Sequence, residues 1–227
     1  MFGAVLAEEA QRLERAVSLA AQERERQTRA RLAELGELAA TVAHDVRNPL
    51  NIISMAMAFA PPEVRGEVTG QIARIARLAD DLLEYAKPWS IDPASVNLAA
   101  LIRDSAARRN DVECRVPDDL TILADAGRIE QALNNLLDNA CAVAGRVMLE
   151  TERMPEMVLL HVCDDGPGIP PDLRDRIFQP FVSRGAGGTG LGLAIVARIA
   201  AAHGGNVALT ERPGWSTCFT LRFPETP

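Results

Sequence analysis

The chain has 227 residues, enough for one or two domains with a sizeable core, and no apolar run approaches the roughly 18 residues of a membrane span. Hydrophobic residues make up 48% and aromatics only 4%, which favours helices, and the net charge of -7 excludes a nucleic-acid binder with a phosphate-neutralising basic stripe. Cys114, Cys141, Cys163 and Cys218 are widely spaced with no CxxC pair, which argues against a zinc site or disulfide framework and predicts reduced thiols in a soluble cytoplasmic protein.

In chain order, Leu6, Ala10, Leu13, Val17 and Ala20 alternate steps of four and three, a short coiled-coil seam. It lapses through a polar run and resumes at Leu32 in a shifted register, so residues 1–31 read as a signalling coiled coil. A long helical pattern follows on Leu32, Leu35, Ala39, Val42 and Val46. His44 lies roughly opposite that seam, and Asn48 falls one turn further along its face. Pro49 removes the backbone donor for the Asp45 carbonyl and should kink the helix. An outward histidine, an acid beside it and an amide one turn on make a plausible reactive site; a solvated helix face is the plainer alternative.

Pro61-Pro62 breaks this helix, with Gly66 close behind. Ile72, Ile75, Leu78, Leu82 and Tyr85 then mark a second helix ending at Lys87-Pro88. Two such helices bury too little alone, so residues 32–88 predict a hairpin that dimerises into a four-helix bundle. Residues 89–97, with Pro93, read as a linker.

Residues 98–227 switch to mixed helix and strand. Helices are expected at 98–109, 129–143 and 191–202, and strands at 112–116, 121–124, 147–151, 157–163, 206–210 and 217–223. A long Gly- and Pro-rich loop spans 164–190. The fold class is therefore α+β: a helical hairpin followed by an α/β sandwich.

Three segments of this second half suit a nucleotide. Asp164 ends a strand and is followed by Gly166 and Gly168; its carboxylate can accept from an exocyclic amine such as that of adenine, while the glycines admit a flat ring. Asn135 and Asn139 are i,i+4 neighbours on an otherwise apolar helix, and their amide oxygens suit a hard cation such as Mg²⁺. The run Gly185-Ala186-Gly187-Gly188-Thr189-Gly190-Leu191-Gly192 leads into a helix, and its backbone N–H groups form an anion cradle for a triphosphate. Ile177-Phe178-Gln179-Pro180-Phe181 reads as an apolar hinge for the mobile loop, or as plain core. A dinucleotide fold is excluded, because no tight strand precedes the glycines and too little chain follows for further βαβ units.

Together, in this order, these segments resemble the sensor histidine kinases of two-component signalling over residues 32–223. His44-Asp45 with Arg47-Asn48-Pro49-Leu50 resembles the family's H-box, Asn135 to Asn139 its N-box, and Asp164 to Gly168 its first glycine box. Phe178 to Phe181 resembles the F-box and Gly188 to Gly192 the second glycine box. The short loop between Phe181 and Gly188 is most similar to the nitrogen-regulatory and metal-responsive branch.

The resemblance implies ATP and Mg²⁺ as ligands, held by Asn135, Asn139, Asp164, Gly166, Gly168, Phe178, Gly188, Thr189, Gly190, Leu191 and Gly192. It implies His44 as phosphoacceptor, Asp45 as general base, a homodimer and a response regulator as partner. Asn48 matches the position that orients water for dephosphorylating that regulator. Related ATPases of the gyrase and Hsp90 type place a water-activating glutamate where this chain has Asn135, so phosphoryl transfer to protein is expected rather than hydrolysis. Many relatives carry a lysine after the N-box; this chain has Cys141, Ala142 and Val143, and Arg184 is the candidate replacement. The soluble chain is compatible with the cytosolic part of a longer receptor. The rival reading is a pseudokinase or phosphotransfer scaffold with no ATP chemistry.

Overall fold

The computed structural model describes residues 46–57, 61–87, 90–109, 111–183 and 188–225. The chain divides into two compact units, residues 1–88 and 89–227. The expected coil at 1–31, together with His44, Asp45 and Arg184, lies outside the described residues.

In the first unit, helix α1 covers residues 46–57 and is helical on both sides of Pro49. Helix α2 is Pro62–Ala86. The expected break at Pro61-Pro62 is this helix start: Pro62 occupies the first turn, where its fixed φ suits the helix and its missing N–H costs nothing, and the helix continues through Gly66. It stops at Lys87, which precedes Pro88 and has left the helical region at ψ 140. Arg47 of α1 pairs with Asp80 of α2, both half exposed. Leu50 is buried, whereas Ile52, Met55, Ile75 and Leu78 remain exposed.

The second unit begins with β1 (Ala94–Asn97), paired antiparallel with β3 (Thr121–Ala124). The expected linker is corrected here: only its first part precedes the fold, because Val96 is buried opposite Ile122 once the strands pair. Pairing across more than twenty residues leaves no local periodic signal in a four-residue strand. Asn97 then caps α3 (Leu98–Ala107), accepting from the Ala100 N–H at 2.9 Å.

The main sheet runs β2 (Val112–Arg115), β4 (Val147–Met154), β5 (Met157–Asp164), β7 (Thr217–Pro224), β6 (Asn206–Leu209). Only β2 and β4 are parallel; the remaining pairs are antiparallel. Helices α3, α4 (Ala126–Cys141) and α6 (Gly192–Ala202) form the second layer. The loop expected at 164–190 contains one further turn of helix, α5 (Pro171–Arg174).

Alternation along the strands builds the core. Leu149, Leu160, Val162 and Leu221 are buried with Leu133, Leu136 and Leu137 of α4 and Ile195 and Ile199 of α6. Burial of such side chains is worth about 1.5–3 kcal/mol each against chain entropy. The other face of the strands carries His161, Thr220, Cys163 and Cys218, also buried. His161 Nδ1 is 2.8 Å from Thr220 Oγ1. His203 is structural too: its Nδ1–H donates to the Ile199 carbonyl at 2.8 Å, leaving Nε2 to accept from the Asp125 N–H at 3.0 Å.

The expectation of four reduced thiols is corrected for two of them. Cys163 and Cys218 are directly opposed across β5 and β7, with Cα atoms 4.1 Å apart, and are joined as a disulfide. Antiparallel register, invisible in a sequence separation of 55, is what brings them together. Cys114 and Cys141 are free.

Candidate nucleotide site

Asp164 is the last residue of the central strand β5, flanked by Val147 on one side and Thr217 on the other. Its side chain is buried, and burial pushes its carboxyl above the ordinary carboxylate range, opposed by the Gly166 N–H and the Thr217 hydroxyl. The Gly166 N–H donates to Asp164 Oδ1 at 3.0 Å. A Cβ on residue 166 would sit 2.9 Å from that oxygen and 3.0 Å from Val143 Cγ2, so this approach requires glycine. That contact also places the first glycine box against the turn after α4, where Val143 is exposed.

Along α4 the residues Ile129, Leu133, Leu136, Leu137 and Ala140 face the core. Helical geometry therefore turns Asn135 and Asn139 away from it, half-buried and exposed respectively. Asn135 Nδ2 donates to the Gly192 carbonyl at 3.3 Å, which ties the N-box to the first residue of α6. Its Oδ1, like the whole Asn139 amide, bonds no other described residue, so the donor set retains amide oxygens for a hard cation. Asn134 belongs elsewhere: it accepts from the Arg109 guanidinium at 3.2 Å, beside the Arg109–Asp138 ion pair.

The second glycine box closes the cluster. Gly190 has φ +73°, and Leu191 is fully buried just before α6. Thr189 Oγ1 accepts from the Leu191 N–H at 3.3 Å, while Gly188 is exposed. Phe178 packs edge-on against Phe219 with ring centroids 6.0 Å apart, and Ile177 is buried, so this part of the F-box anchors the loop to the sheet. Phe181 is 61% exposed.

Asn135 on α4 thus meets Gly192, while Gly166, bonded to Asp164, meets Val143 in the turn after α4. Asp165 went unread in the sequence. Its Oδ1 accepts from the N–H groups of Gly145 and Arg146, each at 2.9 Å, and its Oδ2 from Arg146 Nε at 3.0 Å. These bonds hold its carboxyl below the usual range and clamp the turn after α4 to the glycine box. The doubled acid Asp164-Asp165 was the available signal.

Residues 34–88 match the His Kinase A (phospho-acceptor) domain, and residues 124–227 match the histidine kinase-, DNA gyrase B- and HSP90-like ATPases. The chain belongs to the sensor histidine kinases. Among curated proteins of this family, the sensor histidine kinase ZraS of Salmonella typhimurium is 35% identical over 216 residues, covering 86% of this chain and 46% of ZraS. The chain thus spans about half the length of the curated relatives it matches. Full-length ShkA in complex with AMPPNP is 33% identical, with a TM-score of 0.66 over 83% of this chain and 45% of ShkA. Histidine kinase ThkA, solved with response regulator protein TrrA, is 31% identical, with a TM-score of 0.66 over 90% of this chain and 66% of ThkA. Among the described residues of this histidine kinase, no helix is long and apolar enough to cross a membrane.

Proposed function

We propose that the chain is the core of an autophosphorylating protein-histidine kinase acting in the cytoplasm on a response regulator. The observations that carry this reading are that Asn135 of α4 bonds Gly192 of the second glycine box, and that Gly166, bonded to Asp164, packs on Val143 just past the end of the same helix. Adenine is read by the Asp164 carboxylate, with Gly166 and Gly168 leaving room for the ring. Asn139, with Asn135, holds Mg²⁺, whose charge offsets that of the phosphates when it is bound. Gly188, Thr189, Gly190, Leu191 and Gly192 supply backbone N–H groups at the N-terminus of α6, with Arg184 as the added cation in place of the missing lysine.

An imidazole nitrogen of His44 attacks the γ-phosphorus in line. A P–N bond forms, the P–O bond to the β-phosphate breaks, and ADP leaves. Asp45 takes up the imidazole proton as general base. An aspartate oxygen of the regulator then displaces the histidine, giving an acyl phosphate. Asn48, exposed on α1 and four residues after His44 in sequence, orients the water that hydrolyses the regulator's aspartyl phosphate to free aspartate and inorganic phosphate in the phosphatase reaction. The exposed apolar residues Ile52, Met55, Ile75 and Leu78 on α1 and α2 support a homodimer that buries them in a four-helix bundle. A scaffold without ATP chemistry calls for a degraded nucleotide site, and Asn139, Asp164 and the glycines are all present.

The test is His44→Gln in the whole chain, incubated with γ-labelled ATP and Mg²⁺. Acid-labile, alkali-stable labelling should vanish while nucleotide still raises the melting temperature. Undiminished labelling of the variant would overturn the assignment of His44.

A further inference from the structure

Cys163 and Cys218 are directly opposed on β5 and β7, with Cα atoms 4.1 Å apart and the two sulfurs joined. The next pair in the same register is Asp164 and Thr217, so the disulfide sits one residue from the acid that ends β5. Neighbouring residues of a strand face opposite sides of the sheet. The sulfurs therefore lie on the face away from the helices, and Asp164 and Thr217 on the face toward them. There the Thr217 hydroxyl bonds the Asp164 carboxylate.

The pair has no spare room. Cys163 is 0% and Cys218 1% exposed, packed with buried Met148 and with the partly buried Trp215. Trp215 reaches the first glycine box by two routes. The N–H of its neighbour Ser216 donates to the Asp164 carbonyl at 3.0 Å. The Arg146 guanidinium carbon lies 5.3 Å from the Trp215 ring centre, and Arg146 pairs with Asp165. Sulfurs are about 2 Å apart in a disulfide, whereas non-bonded heavy atoms need roughly 3.5–4 Å. Breaking the bond must part the two strands or push Trp215 outward, and either movement disturbs the surroundings of Asp164.

We propose that this pair is a thiol–disulfide switch on nucleotide affinity, with the disulfide as the tight-binding form. The inference rests on the nucleotide reading given above. A small dithiol supplies two electrons and two protons: the S–S bond breaks, Cys163 and Cys218 become thiols, and the dithiol leaves as its own cyclic disulfide. The reverse exchange closes the bond. In a cytoplasm, small thiols keep most protein thiols reduced, and the disulfides that form there are usually transient and redox-sensing or catalytic. The two-thiol form is then the resting state, and oxidation of the thiol pool raises affinity for the nucleotide. Cys114 of β2 and Cys141 of α4 are free and take no part.

The experiment measures binding of a non-hydrolysable ATP analogue with Mg²⁺ to the whole chain by calorimetry, after equilibration with oxidised or with reduced dithiothreitol. Mass spectrometry of the alkylated chain counts the thiols in each sample. Reduction should add the thiols of Cys163 and Cys218 to those of Cys114 and Cys141, and affinity should fall about tenfold, the size of one lost hydrogen bond. Cys163→Ala and Cys218→Ala, each checked by circular dichroism, should bind equally in both buffers. A chain with Cys114→Ser and Cys141→Ser should keep the whole response. Equal affinity in both states of the unaltered chain overturns the proposal and leaves a structural staple. So does a fully reduced pair in the oxidised sample, or a redox response that survives Cys163→Ala. Absence of binding in either state overturns the nucleotide reading itself, and the switch with it.

Discussion

Phe181 and Gly190 close the base of the loop between them: the Phe181 N–H donates to the Gly190 carbonyl at 2.9 Å. A Cβ on residue 190 would lie 2.6 Å from the Phe181 carbonyl carbon. Phe181 itself has φ +64° and Gly190 φ +73°, so both strands of this neck use the left-handed region. Gly190→Ala meets both a clash and a φ cost, together about 1–3 kcal/mol. The neck should open, and affinity for an ATP analogue measured by calorimetry should fall at least tenfold. Unchanged affinity would mean that residues 182–189 do not contribute to binding.

Asp164 pits function against stability. Its folded-state pKa is raised, chiefly by burial, so the folded chain prefers it protonated more than the unfolded chain does. Stability from this group is therefore gained as pH falls through the folded pKa, and at pH 7 the buried carboxylate is a net cost. Asp164→Asn should raise the melting temperature by a few degrees while nucleotide affinity falls about tenfold or more. A variant that loses stability and affinity together would contradict this account.

The two asparagines of α4 should separate binding from folding. Asn139 is exposed and bonds no other described residue, so Asn139→Ala should leave the melting temperature unchanged and remove the Mg²⁺-dependent part of ATP-analogue binding. Asn135→Ala also loses the bond to the Gly192 carbonyl, with a stability cost of about 1 kcal/mol. Thermal melts of both variants, with and without nucleotide and Mg²⁺, distinguish the roles.

His161 should make the ATP-binding unit acid-sensitive. Burial, reinforced by Arg212, holds its pKa below the ordinary histidine value, against the opposing pull of Glu150 and Glu152. Its Nδ1 is taken by Thr220, and Nε2 is buried without a partner, 3.7 Å from Glu152. The unfolded chain takes up this proton near pH 6.5 and the folded chain resists it, so stability is complete above about pH 6.5 and declines as pH falls toward the folded value. His161→Gln should flatten the melting temperature between pH 7.5 and 5.5. An equal slope in both proteins assigns the sensitivity elsewhere.

Much of the fold was legible because its signals are local. The helical period of Ile129, Leu133, Leu136 and Leu137 placed α4 and left Asn135 and Asn139 facing away from the core. The apolar run Met157–Cys163 placed the strand that leads to the acid, and the glycines at 166, 168 and 190 marked the turns of the loop. Strand β1 was read as linker because four residues carry too little pattern until Val96 packs against its partner strand.

The sequence by itself determined most of the elements other than β1 and α5, and the boxes that carry the family, since each depends on residues within about two turns of one another. Tertiary structure alone decided which distant groups meet. It opposed Cys163 to Cys218, bonded Asn135 to Gly192 and set Asp165 as a clamp on Arg146. Register and packing decide such pairs, because a shift of one residue along a strand sends every side chain to the opposite face.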